Sequence, residues 1–222
     1  MENPKRGIVP RKIKGFRDID PSLNQLKWLI VDGAKKVYKA YGFEHWDTPI
    51  LEYADSLGKY MPGEANDSAG EVAEGVYSFR NPEIEPVYDE NGNELRDRNN
   101  FDKVVTENHH VALRYDLTAP LARLYAEQLW QEKLKGLVKT EKSPLFRRYQ
   151  FGPVFRFEVK IDPGRFREFW QLDFDTVGTA DMIADAEVCM VTADALEEIG
   201  LKRGTYIVKA VSYTHLRAHE TD

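Results

Sequence analysis

The sequence predicts an α+β fold with a mostly antiparallel sheet flanked by helices. Three observations carry this. Helical periodicity is confined to three separated stretches, near residues 21–41, 120–135 and 181–199. Between them lie runs of aromatic and β-branched residues alternating with polar ones. Two such runs, residues 145–159 and 166–177, flank the turn-rich connector Lys160-Ile161-Asp162-Pro163-Gly164, as in a long antiparallel hairpin. Helices and strands grouped in blocks indicate α+β.

The elements follow in order. Asp20-Pro21 reads as an N-cap with proline in the first turn. Leu23, Leu26, Ile30, Ala34, Val37 and Tyr41 then recur at helical spacing, and Gly42 ends the helix. Residues 43–53 hold Pro49 and aromatics and read as extended. Residues 58–75 are rich in Gly, Ala, Glu and Ser and read as a mobile loop or lid, its acidic run Glu64 to Glu74 as a solvated face. Asn91-Gly92, between Val87-Tyr88 and Leu95, reads as a hairpin turn. Residues 104–113 supply another strand. Thr118 reads as the cap of a helix whose apolar face is Leu121, Leu124, Tyr125 and Leu129. In the last helix Ile183, Val188, Val191, Ala195 and Leu196 are expected to face inward, with Gly200 at its end. Residues 206–211 read as a final strand. Three segments result: an extension at 1–13, a folded domain at 14–210 and a disordered or non-native tail at 211–222.

Composition bounds the function. The 222 residues are 42% apolar and 31% charged, enough for a sizeable core. Cys189 is the only cysteine, so neither an intrachain disulfide nor a cysteine-based zinc site is available. No apolar run approaches the roughly 20 residues of a membrane span, and no signal peptide is visible. A cytoplasmic, membrane-free protein is expected. The net charge of −6 argues against a general nucleic-acid-coating protein. A local basic site is nevertheless visible in Arg147, Arg148, Arg156, Lys160, Arg165 and Arg167.

The hairpin carries the chemistry. Residues two apart on a strand share a face, so Arg156 and Glu158 are expected to point one way, as are Gln171, Asp173 and Asp175. A guanidinium binds phosphate oxygens bidentately and stacks on flat rings. Carboxylates opposite it can hold an amine or Mg²⁺. The competing reading is a solvated face with cross-strand ion pairs. Phe155, Phe157, Phe166, Phe169 and Trp170 around these groups count against it. Elsewhere, His109-His110 cannot easily chelate one ion, because neighbours on a strand point opposite ways. His45 reads as packed. Lys133, Lys135, Lys139 and Lys142 read as a solvated surface, with an RNA acceptor-stem contact as the alternative. No metal site built by protein groups alone is expected.

Four segments in order resemble one family. Phe155-Arg156-Phe157-Glu158 with Arg165 resembles motif 2 of the class II aminoacyl-tRNA synthetases. Residues 42–52, with Pro49, resemble motif 1. Lys14-Gly15-Phe16-Arg17-Asp18 resembles the opening of the histidine-specific synthetases, and Leu113-Arg114-Tyr115-Asp116-Leu117-Thr118-Ala119-Pro120 their amino-acid-binding segment. The resemblance implies the front part of the catalytic domain of an ATP- and Mg²⁺-dependent histidine–tRNA ligase, homodimeric through motif 1, with L-histidine and histidine tRNA as substrates. It further implies that Arg156 holds the ATP α-phosphate and the histidine carboxylate region. Glu158 would contact the adenine side and Arg165 the outer phosphates. Asp116, Thr118, Gln171 and Asp175 would bind histidine. Motif 3, a later histidine-specific segment and an anticodon-binding domain are not found in these 222 residues, so little activity is expected of the chain alone. The alternative is a non-catalytic, synthetase-like regulatory subunit of histidine biosynthesis, which intact Arg156, Glu158 and Arg165 disfavour.

Overall fold

A computed structural model describes residues 10–54, 56, 75–83, 85–89, 93–97, 100–104, 106–107, 110–135, 144–158 and 160–209. The Asn91-Gly92 turn, the acidic loop, His109, Lys139, Lys142 and the 211–222 tail lie outside these residues. The described elements are helices α1 (Pro21–Ala40), α2 (Thr118–Leu134) and α3 (Met182–Glu198) and ten strands. The strands are β1 (Glu44–His45), β2 (Leu51–Tyr53), β3 (Ser78–Arg80), β4 (Glu85–Pro86), β5 (Arg96–Asp97), β6 (Asn100–Val104), β7 (Thr106–Glu107), β8 (His110–Leu113), β9 (Phe146–Phe155) and β10 (Glu168–Val177). Helices beside largely antiparallel pairings make an α+β fold; the parallel exception among the registered pairs is β1 against β9. Among the described residues no helix is long and apolar enough to cross a membrane.

The chain divides into two compact units. The first comprises Met1–Asp18, Thr48–Leu124 and Gly152–Gln171. Its sheet has the order β2-β8-β3, with Glu52 opposite Ala112 and Phe79 opposite Val111. Ala54, Val76 and Ala112 are buried together, and Tyr115 and Ala119 pack against them. Glu52 is buried in this unit, which would be costly for a lone carboxylate. Arg123 from α2 meets it with two parallel bonds, Nε to Oε2 at 2.7 Å and Nη2 to Oε1 at 3.0 Å.

The second unit comprises Ile19–Asp47, Tyr125–Phe151 and Leu172–Asp222. Helices α1 and α3 pack together here. Its core joins Ala34, Val37, Tyr38, Phe43, Tyr149, Val191 and Ala195, with Phe174 against it. Asp20 caps α1 as expected, accepting from the Leu23 amide at 2.9 Å, with Pro21 opening the helix. The buried stripe of α1 is Val31, Ala34, Val37 and Tyr38, whereas Leu26 is 52% exposed. A single apolar period fits two adjacent stripes, and packing selected the second. Likewise only Val191 and Ala195 of α3 are buried; Ile183 and Val188 lie on its exposed side. Residues 206–209 form no strand, a correction to the expected final element. Instead the Tyr206 hydroxyl donates to the Ala193 carbonyl at 3.1 Å, tying this stretch to α3. His45 stacks on Tyr149 and Phe151, in agreement with a packing role.

Burial pushes the Tyr38 phenol up to about 12, and the charge of Asp173 adds to the shift. The neutral phenol is therefore favoured in the folded state. Its contribution is complete below the ordinary value near 10 and is lost as pH rises from 10 through about 12. A two-unit shift corresponds to about 2–3 kcal/mol. Denaturant titrations at pH 9 and 11.5 should show a smaller loss for Tyr38→Phe than for the unaltered chain; equal losses would refute the assignment.

Candidate functional site

The site lies in the first unit, where β9 ends and the chain turns toward β10. The strand stops at Phe155, and β10 begins only at Glu168. The expected strands were longer, over 145–159 and 166–177. The Glu158 amide instead donates to the Arg156 carbonyl at 2.8 Å, a tight turn that breaks the alternation expected to align Arg156 with Glu158. Arg156 stays joined to the returning chain through its amide, which donates to the Arg167 carbonyl at 2.9 Å.

Arg156 is held from three sides. Its Nε donates to the Tyr115 carbonyl at 3.2 Å. Its guanidinium carbon lies 4.3 Å from the centre of the Tyr115 ring and 5.0 Å from that of Phe169. The group is half-buried, and no carboxylate pairs with it among the described residues. Two rings and one carbonyl orient this cation without neutralising it.

Tyr115 is itself fixed by its neighbour. Arg114 is buried, donating through Nε to the Pro153 carbonyl at 2.8 Å and through Nη1 to the Thr48 carbonyl at 2.9 Å. Its backbone joins Ile50 and Phe155. The guanidinium passes directly over Gly152, in the space a β-carbon would fill. Gly152→Ala should therefore cost about 1–3 kcal/mol through overpacking. Urea unfolding checks this, and a change below roughly 0.5 kcal/mol would mean that Arg114 moves aside freely.

Glu158 and Arg165 come together: Arg165 Nη2 lies 3.0 Å from Glu158 Oε1. The Arg165 side chain is 58% exposed, so this pair is weak and open to exchange. Asp116 lies at the start of α2, where Oδ1 accepts from the amides of Thr118 at 3.1 Å and Ala119 at 2.9 Å. Asp116 is therefore the side chain that caps α2, and Thr118, the expected cap, is instead its first residue and is exposed. An Asx turn and a threonine cap share the same sequence pattern. The Gln171 Oε1 atom is buried and has no hydrogen-bond partner among the described residues. A buried acceptor without a donor is costly, which fits an atom reserved for a ligand.

Asp175 belongs to the second unit, where its Oδ2 lies 3.0 Å from Nη2 of the fully buried Arg148. Arg148 also donates to Gln150 Oε1 at 2.7 Å. Arg147 pairs with Glu187 at 3.0 Å and donates to the Tyr41 carbonyl at 2.8 Å. The six basic residues read as one local site are thus divided. Arg147 and Arg148 are internal ties of the second unit, and Arg156, Arg165 and Arg167 gather in the first. Sequence reasoning missed Tyr115 and Arg114 as supports of Arg156. The signal was available, since both lie inside the segment 113–120. No group of three or more His, Cys, Asp or Glu side chains able to hold a metal ion occurs among the described residues.

The fold is that of the class II synthetase-like proteins. A structure from Bacillus halodurans, described as an ATP phosphoribosyltransferase regulatory subunit/histidyl-tRNA synthetase, superposes with a TM-score of 0.58 at 22% identity, covering 90% of this chain and 40% of that one. The histidyl-tRNA synthetase of Nostoc sp. PCC 7120 gives a TM-score of 0.52 at 26% identity over 84% of this chain and 34% of that one. In sequence the chain is a homologue of the histidine–tRNA ligases. It is 38% identical over 213 residues to that of Bradyrhizobium diazoefficiens and 38% identical over 196 residues to that of Brucella ovis. These matches take in 94% and 88% of this chain but 34% and 31% of the relatives, so the chain spans about a third of their length. No protein-family model matches it.

Proposed function

We propose that this segment supplies the phosphate-facing part of the active site of a histidine–tRNA ligase, which joins histidine to ATP as histidyl-adenylate and then passes it to the 3′ end of histidine tRNA. The observation that supports this most is Arg156, an oriented guanidinium without a carboxylate partner among the described residues. Attack of the histidine carboxylate on the ATP α-phosphate gathers negative charge on phosphoryl oxygens. A cation fixed in advance stabilises that charge without reorganising. Arg156 is this cation in the proposal. Arg165 exchanges Glu158 for the outer phosphates, and Glu158 turns to the adenine side. Asp116, Thr118 and Gln171 receive histidine in the proposal, and Asp175, tied to Arg148 in the second unit, is left out of it. Mg²⁺ would enter on the phosphates of ATP, its preferred mode where protein carboxylates are few. The working enzyme is proposed to be a cytoplasmic homodimer.

The regulatory-subunit reading has one specific support: the Bacillus halodurans structure carries that description beside the synthetase one. A protein that only senses histidine has no use for an uncompensated phosphate-binding cation, so the geometry favours catalysis. Histidine-dependent ATP–pyrophosphate exchange tests the proposal, measured on this chain and on a protein of the relatives' full length carrying it. The longer protein is expected to exchange. The chain alone is expected to exchange little or not at all, because transition-state binding needs the complete site. Histidine binding by the longer protein without any exchange would establish the regulatory reading.

A further inference from the structure

Lys14-Gly15-Phe16-Arg17-Asp18 has no chemistry of its own in the proposed reaction, yet the structure clasps it to the catalytic turn. Arg167 makes the clasp. Its Nε and Nη2 both donate to the Glu158 carbonyl, at 3.1 and 2.9 Å. Its Nη1 donates to the Lys14 carbonyl at 3.2 Å, and its backbone amide donates to the Gly15 carbonyl at 2.8 Å. Its guanidinium carbon lies 4.3 Å from the centre of the Phe157 ring, and its own carbonyl accepts from the Arg156 amide. Gly15 is the counterpart. Its φ of +87° suits glycine, and a β-carbon there would lie 2.7 Å from Cγ and Cδ of Arg167. A second contact closes the strap, with Arg17 stacked 3.9 Å over the Phe166 ring.

We infer that Arg167 is a positioning residue for the nucleotide end of the site, and that residues 14–18 are the strap against which it is set. The inference rests on the proposed histidine-activating function. One planar fork fixes the backbone of Glu158 and the strap together. The neighbouring Glu158–Arg165 pair and the Arg156 turn take their places from it. Arg167 itself is occupied by the Glu158 and Lys14 carbonyls and is assigned no substrate contact in the proposal. The side chains proposed for histidine, Asp116, Thr118 and Gln171, are not bonded to this fork.

The consequence is a selective defect. Arg167→Ala and Gly15→Ala, made separately in the full-length protein, should each raise KM for ATP by about tenfold or more. KM for histidine should stay within about twofold, since its groups are held elsewhere. Arg167→Lys should not rescue, because an ammonium cannot bond two carbonyls in one plane while stacked on a ring. On the present chain, amide hydrogen exchange should quicken at residues 156–158 in each variant and stay unchanged at residues 31–38. Arg156→Ala runs alongside. Normal exchange in that variant would return Arg156 to a structural role, whereas no histidine-dependent exchange by the unaltered full-length protein would remove the histidine-activating reading and this inference with it. If Arg156→Ala is crippled while Gly15→Ala and both Arg167 variants keep the normal KM for ATP, the positioning role alone is overturned. Equal rises in both KM values would also overturn it, since a general loosening of the fold would do that.

Discussion

Replacing Arg156 by alanine in the proposed full-length ligase is expected to lower histidine-dependent ATP–pyrophosphate exchange by about 10²–10³-fold, or roughly 3–4 kcal/mol of transition-state stabilisation. The effect is large because this guanidinium is oriented in advance. A carbonyl at 3.2 Å and two ring faces hold it, and among the described residues no carboxylate competes for it. The variant should remain folded, since the side chain is half-buried and its hydrogen bond among the described residues is to a single carbonyl. Arg156→Lys should recover little. A point charge keeps neither the stacking on Tyr115 nor the bidentate grip on a phosphate. The measurement is exchange rate against ATP and histidine concentration, with thermal unfolding as the control for folding. An Arg156→Ala protein with normal exchange would leave Arg156 a ring-stacked structural arginine.

Arg148→Ala is expected to produce the largest stability loss, about 3–5 kcal/mol. Arg148 is fully buried beside Asp175 and Gln150. Its removal takes a buried guanidinium from beside Asp175 and leaves a cavity in its place. The Asp175 side chain keeps 24% exposure, so water relieves part of the penalty and the lower half of the range is expected. In a chain of this size the melting temperature should fall by roughly 10 °C, at about 2–4 °C per kcal/mol. Asp175→Asn should cost less than Arg148→Ala, because the amide can still accept from the guanidinium. Urea unfolding of both variants checks the ordering. A loss below about 1 kcal/mol for Arg148→Ala would mean that the pair is not a structural tie.

Local signals were legible in the residues. Asp20-Pro21 announces the start of α1 because capping and proline geometry act within one turn. The hairpin is legible because alternation is a property of neighbours, and Phe155-Arg156-Phe157-Glu158 singles out Arg156 by residue type. Partnership was not legible. Arg147 and Arg148 spell the same basic cluster as Arg156 and Arg165, yet the first two are neutralised by Glu187 and Asp175 and Arg156 is left uncompensated among the described residues. Whether an arginine ties or binds depends on which carboxylate the chain brings beside it from a distant position. The α1 stripe moved for the same reason, since two helical faces share one apolar period and only packing chooses between them. Residues 206–209 have strand-like composition without a strand, because a strand requires a hydrogen-bonding neighbour and composition cannot supply one. Element type and residue chemistry are therefore matters of local order along the chain. Burial, charge compensation and the clasp of Arg167 on Gly15 arise only once distant segments meet.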